Sequence, residues 1–285
     1  MSKKYKNTDL TIEDLPKNRK EVFFDVCKNR YRMLIFCGII LLISAIPFLA
    51  LYMTMLSEIG KIQQNLASAV VTQETYNQQY FQINLIIPLF MLASSVIIII
   101  ALSGVTRIIH RLAWGEGVAF FYDFFLGIKQ NFLSFLMLIF IGISFYVSNL
   151  IKTVILLNGL IETYSVFYYY IPLFINIFLF FPIVLLYLMQ SVIYKNTFIG
   201  KLKNAILLFI KKFLINVCYM ALLSSFLIFI VFATAPYKLI VVSIFIFTFP
   251  LWILAYVLIA SSIFDEYINI YNYKEIYKKG IYFKE

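Results

Sequence analysis

The sequence predicts an all-α fold: a polytopic bundle of six transmembrane helices, with both termini and two amphipathic helices on the cytoplasmic side. Six long apolar stretches contain no Asp, Glu, Lys, Arg or His, and each reaches the ~20 residues that an α-helix needs to cross the hydrocarbon core. Hydrophobic residues make up 62% of the chain, which is above the share typical of soluble domains. The stretches are residues 33–56, 80–104, 131–151, 167–194, 213–235 and 239–263.

The orientation of the bundle follows from where the basic residues lie. The seven successive segments outside the stretches hold 9, 1, 3, 1, 5, 1 and 4 of the 24 Lys and Arg residues. Because positive charge in short loops stays on the cytoplasmic side, the richer, alternate segments should be cytoplasmic. Both termini and residues 105–130 and 195–212 are therefore predicted to lie inside. An even number of crossings agrees with this.

Composition also excludes several classes of function. The net charge of +10 is spread over short flanks of apolar stretches, which favours anionic membrane lipids as partners over nucleic acid. Cys27, Cys37 and Cys218 are scattered without metal-ligand spacing, and the lone His110 lies among cations, so we predict no metal and no cofactor. The chain lacks the sequence motifs of serine hydrolases, zinc peptidases and phosphate-binding loops. We therefore expect no enzyme and no catalytic residue.

The chain divides into three regions. Residues 1–32 form a basic cytoplasmic tail that should become helical near Lys20, and residues 33–264 form the membrane domain. Within that domain, residues 57–79 are rich in Gln and Asn and should lie outside, as a solvated segment or, alternatively, one that contacts a ligand. Residues 265–285 form a Tyr- and Lys-rich cytoplasmic tail, which could bind the membrane surface or dock a partner protein.

The linker of residues 105–130 is the most informative segment between the spans. Arg107 and Arg111 are one turn apart on a predicted continuation of the second span, and a Gly-Glu-Gly sequence then breaks the helix. Gly115 can end that helix in a left-handed conformation, which would place Glu116 at the positive N-terminal end of the next helix. We expect an Arg to pair with Glu116 or Asp123 as a structural clamp. A partner-docking surface is the alternative.

The linker of residues 195–212 is predicted to be a second amphipathic helix. Apolar residues from Leu202 to Phe213 follow helical spacing, and lysines flank or oppose them. The sequences FFLGIKQNF and LLFIKKFL precede spans three and five at equivalent places. Whether this reflects an internal duplication or chance similarity stays open.

The segment from residue 104 to 132 resembles the signature region of the YesL-like family of bacterial integral membrane proteins, a domain of unknown function. The stretch around Pro182 is similar to that family's second half, so the resemblance covers roughly residues 30–230. The long segment 57–79 and the C-terminal tail depart from it. The resemblance implies an association with carbohydrate uptake by ABC systems, and assigns no catalytic residue. The residues that carry it are Gly104, Arg107, Gly115, Glu116, Asp123, Phe124, Phe125, Lys129, Asn131 and Phe132.

Polar residues inside the predicted spans give the remaining functional clue. Hydrogen bonding between helices is their usual role. The fourth span, however, combines Pro172 and Pro182 with Asn176, and prolines free backbone carbonyls within membrane helices. This combination indicates a possible polar cavity.

Two functions compete on this sequence. The first is a non-enzymatic membrane accessory or scaffold protein in the cytoplasmic membrane of a bacterium. The family resemblance alone implies its association with an ABC-type carbohydrate importer and its permease. The second is a small transporter or channel for a neutral or lipid-like solute. A polar cavity crossing most of the membrane would favour the transporter, whereas an interior filled by Phe, Ile and Leu would favour the scaffold.

Overall fold

The computed structural model describes residues 15–157, 166–226 and 234–282. Over these residues the chain forms helices joined by short turns, without a β-strand, so the prediction of an all-α membrane bundle is confirmed. The first 14 residues of the basic tail, the segment between the third and fourth predicted spans from residue 158 onwards, and part of the fifth predicted span lie outside the described ranges. The helices are α1 Arg19–Asn29, α2 Tyr31–Ser44, α3 Ile46–Ala67, α4 Gln73–Ala113, α5 Phe120–Phe135, α6 Met137–Leu157, α7 Val166–Ile175, α8 Phe181–Ile193, α9 Phe198–Lys211, α10 Phe213–Ser224 and α11 Ala235–Phe264.

Four helical segments are long and apolar enough to cross a membrane, and the number rises to six if each of two bent helix pairs counts as one span. Helices α2 and α3 form the first pair, bent by 52° at Ala45. Pro47 lies in the first turn of α3, where its missing N–H breaks the ladder of helix hydrogen bonds. Helices α9 and α10 form the second pair, bent by 91° at Lys212.

The two amphipathic helices, α5 and α9, differ from surface helices of soluble proteins because each has apolar residues on two sides, one buried and one exposed. Helix α5 buries residues at a spacing of four, from Asp123 to Phe135, while Phe121 and Leu133 on its other side are 72% and 81% exposed. Helix α9 buries Ala205, Leu208 and Phe209 and leaves Ile210 exposed. The buried stripe of α9 is thus rotated from the predicted one. An interfacial helix packs one apolar face on protein and offers the other to lipid.

Residues 57–79 are more regular than the sequence indicated. Helix α3 continues to Ala67 and α4 begins at Gln73, so this segment is the tip of a helical hairpin with a short turn. The Thr72 side chain accepts a hydrogen bond from the Thr75 N–H and caps α4.

One end of the bundle collects four basic segments. We call it the basic end, and it comprises residues 15–30, 105–130, 195–212 and 265–282. The N–H of Tyr282 donates to the Pro16 carbonyl at 2.8 Å, so the two ends of the described part of the chain meet there. Lys212 Nζ lies 2.8 Å from Glu266 Oε2, which joins the second linker to the C-terminal tail. Lys279 Nζ lies 2.6 Å from Glu116 Oε1, which joins the first linker, residues 105–130, to the same tail. These contacts bring the four segments together at one end of the bundle, which agrees with the charge count.

The predicted topology can be tested by cysteine labelling. We expect Cys at position 65 to react with a membrane-impermeant reagent from outside, and Cys at 196 or 272 to react only after permeabilisation. Asn65 lies at the hairpin tip, whereas Asn196 and Asn272 lie at the basic end. Outside labelling of position 196 would contradict the six-span orientation.

Candidate functional site

The predicted clamp residues meet where α4 ends and α5 begins. Arg107 and Arg111 lie on the last two turns of α4, and Asp123 lies in the first turn of α5. Glu116 lies in the connection between these helices. The two arginines and the two carboxylates form one ionic cluster at the basic end.

The turn between the helices depends on Gly115. Its φ of 70° lies in the left-handed region that residues with a Cβ rarely adopt. The Gly115 N–H donates to the Leu112 carbonyl at 3.1 Å, and the Glu116 N–H donates to the Arg111 carbonyl at 2.9 Å. These two bonds form a Schellman motif, which satisfies carbonyls at the end of α4. The turn brings Glu116 back beside Arg111.

Asp123 is the buried centre of the cluster. Its side chain is 0% exposed and accepts a hydrogen bond from Arg111, while Arg107 Nε lies 3.8 Å from the same oxygen. Its other oxygen accepts the Ala119 N–H at 2.8 Å, which caps the start of α5. The carboxylate at the N-terminal end of α5 is therefore Asp123 and not Glu116, which precedes the helix by four residues.

Glu116 instead connects the clamp to the C-terminal tail. Its carboxylate accepts from Arg111 Nε at 2.9 Å and from Lys279 Nζ at 2.6 Å. The Lys279 ammonium also lies 4.4 Å from the centre of the Trp114 ring. Burial acts to raise the pKa of Glu116, but hydrogen bonds and positive charge from Lys279 and Arg111 outweigh it, so this pKa lies below its ordinary value.

A second group of contacts fastens the tail to α1. Arg19 donates to Asp265 at 2.6 Å and to the Lys279 carbonyl at 2.8 Å. Asp265 also accepts from Asn269 Nδ2 at 2.8 Å and from the Lys278 N–H at 3.1 Å. The tail is thus bound to the rest of the protein at several points, and the sequence did not predict these contacts. We call the Arg111–Glu116–Lys279 and Arg19–Asp265 contacts together the tail lock.

The helix crossing that holds the clamp in place uses Gly104. A Cβ on Gly104 would lie 2.8 Å from the Phe124 carbonyl oxygen and closer still to its ring. A Cβ on Gly127, across the crossing, would lie 2.9 Å from the Gly104 Cα. Two glycines therefore let α4 and α5 approach closely. The sequence resemblance drew attention to Gly104 but not to Gly127.

The other residues of the signature have different roles. Asn131 is buried at 3% exposure on the side of α5 that faces the bundle, and its amide nitrogen has no hydrogen-bond partner among the described residues. Lys129 is exposed and forms no ion pair with the part of the chain that the structure describes. Lys129 is therefore outside the clamp.

The second predicted group, around Asn176, is a hydrogen-bonded cluster. Residues Asn176–Phe180 form a π-helical turn between Pro172 in α7 and Pro182 in α8. Asn176 is 2% exposed, accepts from Ser144 and donates to Ser148 Oγ at 2.9 Å. The side-chain oxygen and nitrogen of Asn176 both form hydrogen bonds with residues of α6. The polar residue that suggested a cavity is therefore used in helix packing.

The chemistry available at the basic end is electrostatic. Each clamp carboxylate is neutralised by a guanidinium, which makes it a poor general base. Within the described ranges no group of three or more His, Cys, Asp or Glu side chains could hold a metal ion. His110 is buried with its ring centre 4.1 Å from that of Trp114. The arrangement is suited to fixing helices and the tail in one geometry.

Glu116 provides a test of the tail lock. We expect Glu116→Lys to lower the free energy of unfolding by about 1–2 kcal/mol, because two partly exposed attractions become repulsions. Protease cleavage of the C-terminal tail should also accelerate. Glu275→Lys makes the same charge change on an exposed tail residue without an ion pair to the described residues, and should have little effect. If the two variants have the same free energy of unfolding and the same rate of tail cleavage in detergent, the tail lock does not stabilise the protein.

The same carboxylate predicts a pH dependence. The pKa of Glu116 is lower in the folded than in the unfolded chain, so its contribution to stability is complete above the ordinary value of about 4.5 and is lost as pH falls through the folded value. The difference in melting temperature between the unchanged protein and Glu116→Gln should therefore shrink below about pH 4.5. A difference that stays constant between neutral and acidic pH would contradict this.

No protein-family model, curated protein or solved structure matches this chain. The resemblance to YesL-like proteins therefore rests only on the sequence of residues 104–132 and of the stretch around Pro182.

Proposed function

We propose that the protein is a non-enzymatic accessory or scaffold protein of the bacterial cytoplasmic membrane, which docks another membrane protein through its basic end. The observation that carries this proposal is the tail lock. Arg19 contacts Asp265, which is 246 positions away in the sequence, and Glu116 contacts Lys279, which is 163 positions away. These contacts hold α1, the first linker and the tail together. Ordering these segments costs conformational entropy, and a surface held in one geometry loses less of it when a partner binds.

The exposed side of the tail supplies suitable anchors for a partner. Tyr271 is 74% exposed and lies between the tail-lock residues Asp265 and Lys279, and Tyr282 is 45% exposed while its N–H donates to the Pro16 carbonyl. Tyr is enriched at protein interfaces because it buries a large area with little side-chain entropy. The resemblance to the YesL-like family suggests an ABC permease as the partner.

Site-specific photocrosslinking tests this function. Benzoylphenylalanine in place of Tyr271 should give a discrete crosslinked product in living cells, and mass spectrometry should identify an ABC importer subunit. The same residue in place of the exposed Gln64, at the hairpin tip, is the matched control and should not give that product. Crosslinks from position 271 to lipid alone would overturn docking. A different protein partner would overturn the importer assignment.

The transporter alternative retains one supporting observation. The π-helical turn at Asn176 is of a kind that is frequent at functional sites. Flux of neutral solutes into vesicles containing the purified protein, abolished by Asn176→Leu, would favour the transporter over the scaffold.

A further inference from the structure

An apolar cavity lies among the helices in the half of the bundle nearest the basic end. Its volume is about 140 Å³, and its lining comes from α4, α5, α6, α8, α10 and α11. The lining is almost entirely apolar, with Leu188, Met189 and Ile253 among its buried members. Leu138 and Leu185 are only partly buried, and the cavity is incompletely enclosed.

The few polar side chains that line the cavity have no free donor. Thr106 donates to the Leu102 carbonyl at 2.7 Å, and Tyr219 donates to the Trp252 carbonyl at 2.7 Å. The Tyr256 hydroxyl lies 3.0 Å from Asn216 Oδ1 and 3.3 Å from the Pro182 carbonyl. A buried water needs two to four polar partners, roughly, and this lining does not offer them. A polar solute would lose its hydration without compensation for the same reason.

The cavity is suited to hydrocarbon. An engineered protein cavity of about 150 Å³ lined by similar residues stays dry and binds benzene or xenon, so this volume accepts a group of about six carbons. The surrounding membrane supplies lipid chains at high concentration. Because lipid tails are as apolar as Leu, the driving force is recovery of van der Waals contacts that an empty cavity lacks.

We propose that this cavity binds the end of one acyl chain of a bilayer lipid, from the leaflet at the basic end. Lining residues near the basic-end termini of α4 and α8, with Ile253 and Tyr256 in the second half of α11, place it in that leaflet's half of the membrane. The site is independent of the proposed docking surface, because none of its lining residues belongs to the tail lock.

Photolabelling of the full chain in vesicles tests the proposal. The probe is a phosphatidylcholine that carries a diazirine near the methyl end of one acyl chain, in phosphatidylcholine and phosphatidylglycerol vesicles. We expect adducts on the buried residues Met189 and Ile253, besides those on the lipid-exposed Phe140. Adducts on exposed residues alone would overturn the proposal. So would labelling of the buried pair by a free short-chain alkyl diazirine when the phospholipid probe leaves them unlabelled.

A variant that fills the cavity gives the matched control. Leu185→Phe should abolish adducts at Met189 and Ile253 while adducts at Phe140 persist. Leu222→Phe makes the same change on a residue that is 62% exposed and outside the lining, and should leave the internal adducts unchanged. Internal labelling that survives Leu185→Phe would overturn the assignment of the site to this cavity. If Leu185→Phe does not fold, the labelling pattern of the unchanged protein decides.

Discussion

Replacing Asp123 with Ala should destabilise the protein by about 3 kcal/mol, the largest effect that we expect from any single substitution at the basic end. The carboxylate is fully buried and neutralises Arg111, with Arg107 nearby. Its removal leaves two guanidinium groups, 27% and 22% exposed, without their common partner. It also removes the acceptor of the Ala119 N–H at the start of α5. The free energy of unfolding in mixed micelles is the measurement.

Two further variants separate these contributions. Asp123→Asn keeps the shape and can still accept from the Ala119 N–H, so the loss should be smaller, about 1–2 kcal/mol. Glu58→Ala breaks an exposed ion pair with Lys61 at the opposite end of the protein and should cost at most about 1 kcal/mol. If Asp123→Ala costs no more than Glu58→Ala, the buried cluster does not hold α5 against α4.

The sequence predicted the membrane bundle well because hydrocarbon imposes one rule on every span. Each backbone polar group must bond within its own helix, so long apolar stretches can only be helices. That rule does not fix where a helix ends in water. Helix α3 therefore continues to Ala67, beyond the predicted span. The end of α4 at Ala113 was predictable only because the Gly-Glu-Gly sequence marks it.

The clamp was predictable because its signals are local. Arg111 and Glu116 are five positions apart, and Gly115 marks the turn that brings them together. The tail lock was missed because Arg19 and Asp265 are 246 positions apart and no local pattern pairs them. The available signal was Asp265 with Asn269, two polar residues one turn apart directly after an apolar span. A carboxylate that is buried at the end of an apolar span needs a positively charged or hydrogen-bonding partner.

The role of Asn176 could not be decided from sequence for a related reason. A polar residue in a span indicates a bonded group but not its partner, which depends on how the helices are rotated. The structure directs Asn176 towards Ser144 and Ser148. The apolar cavity arises from the same tertiary packing, since its lining comes from segments that are distant in sequence.

Gly104→Ala should be the second most destabilising change, through the crossing of α4 and α5. The new Cβ would lie 2.8 Å from the Phe124 carbonyl oxygen, and backbone cannot move aside as a ring can. We expect an overpacking cost of about 1–3 kcal/mol, which exceeds the gain of up to about 1 kcal/mol from replacing Gly in a helix. Gly60→Ala, in the interior of α3, meets nothing within 4 Å and should show that gain alone.

The crossing and the clamp should also be energetically coupled. Moving α5 away from α4 lengthens the contacts of Asp123 with Arg107 and Arg111. Gly104→Ala therefore already removes part of the stabilising interaction that Asp123→Ala removes. The double variant should then be less destabilised than the two single effects predict together, by about 0.5 kcal/mol or more. Paired with Gly60→Ala, Asp123→Ala should instead give additive effects. Additivity in both pairs, measured by unfolding in the same micelles, would show that the close glycine crossing does not position the clamp.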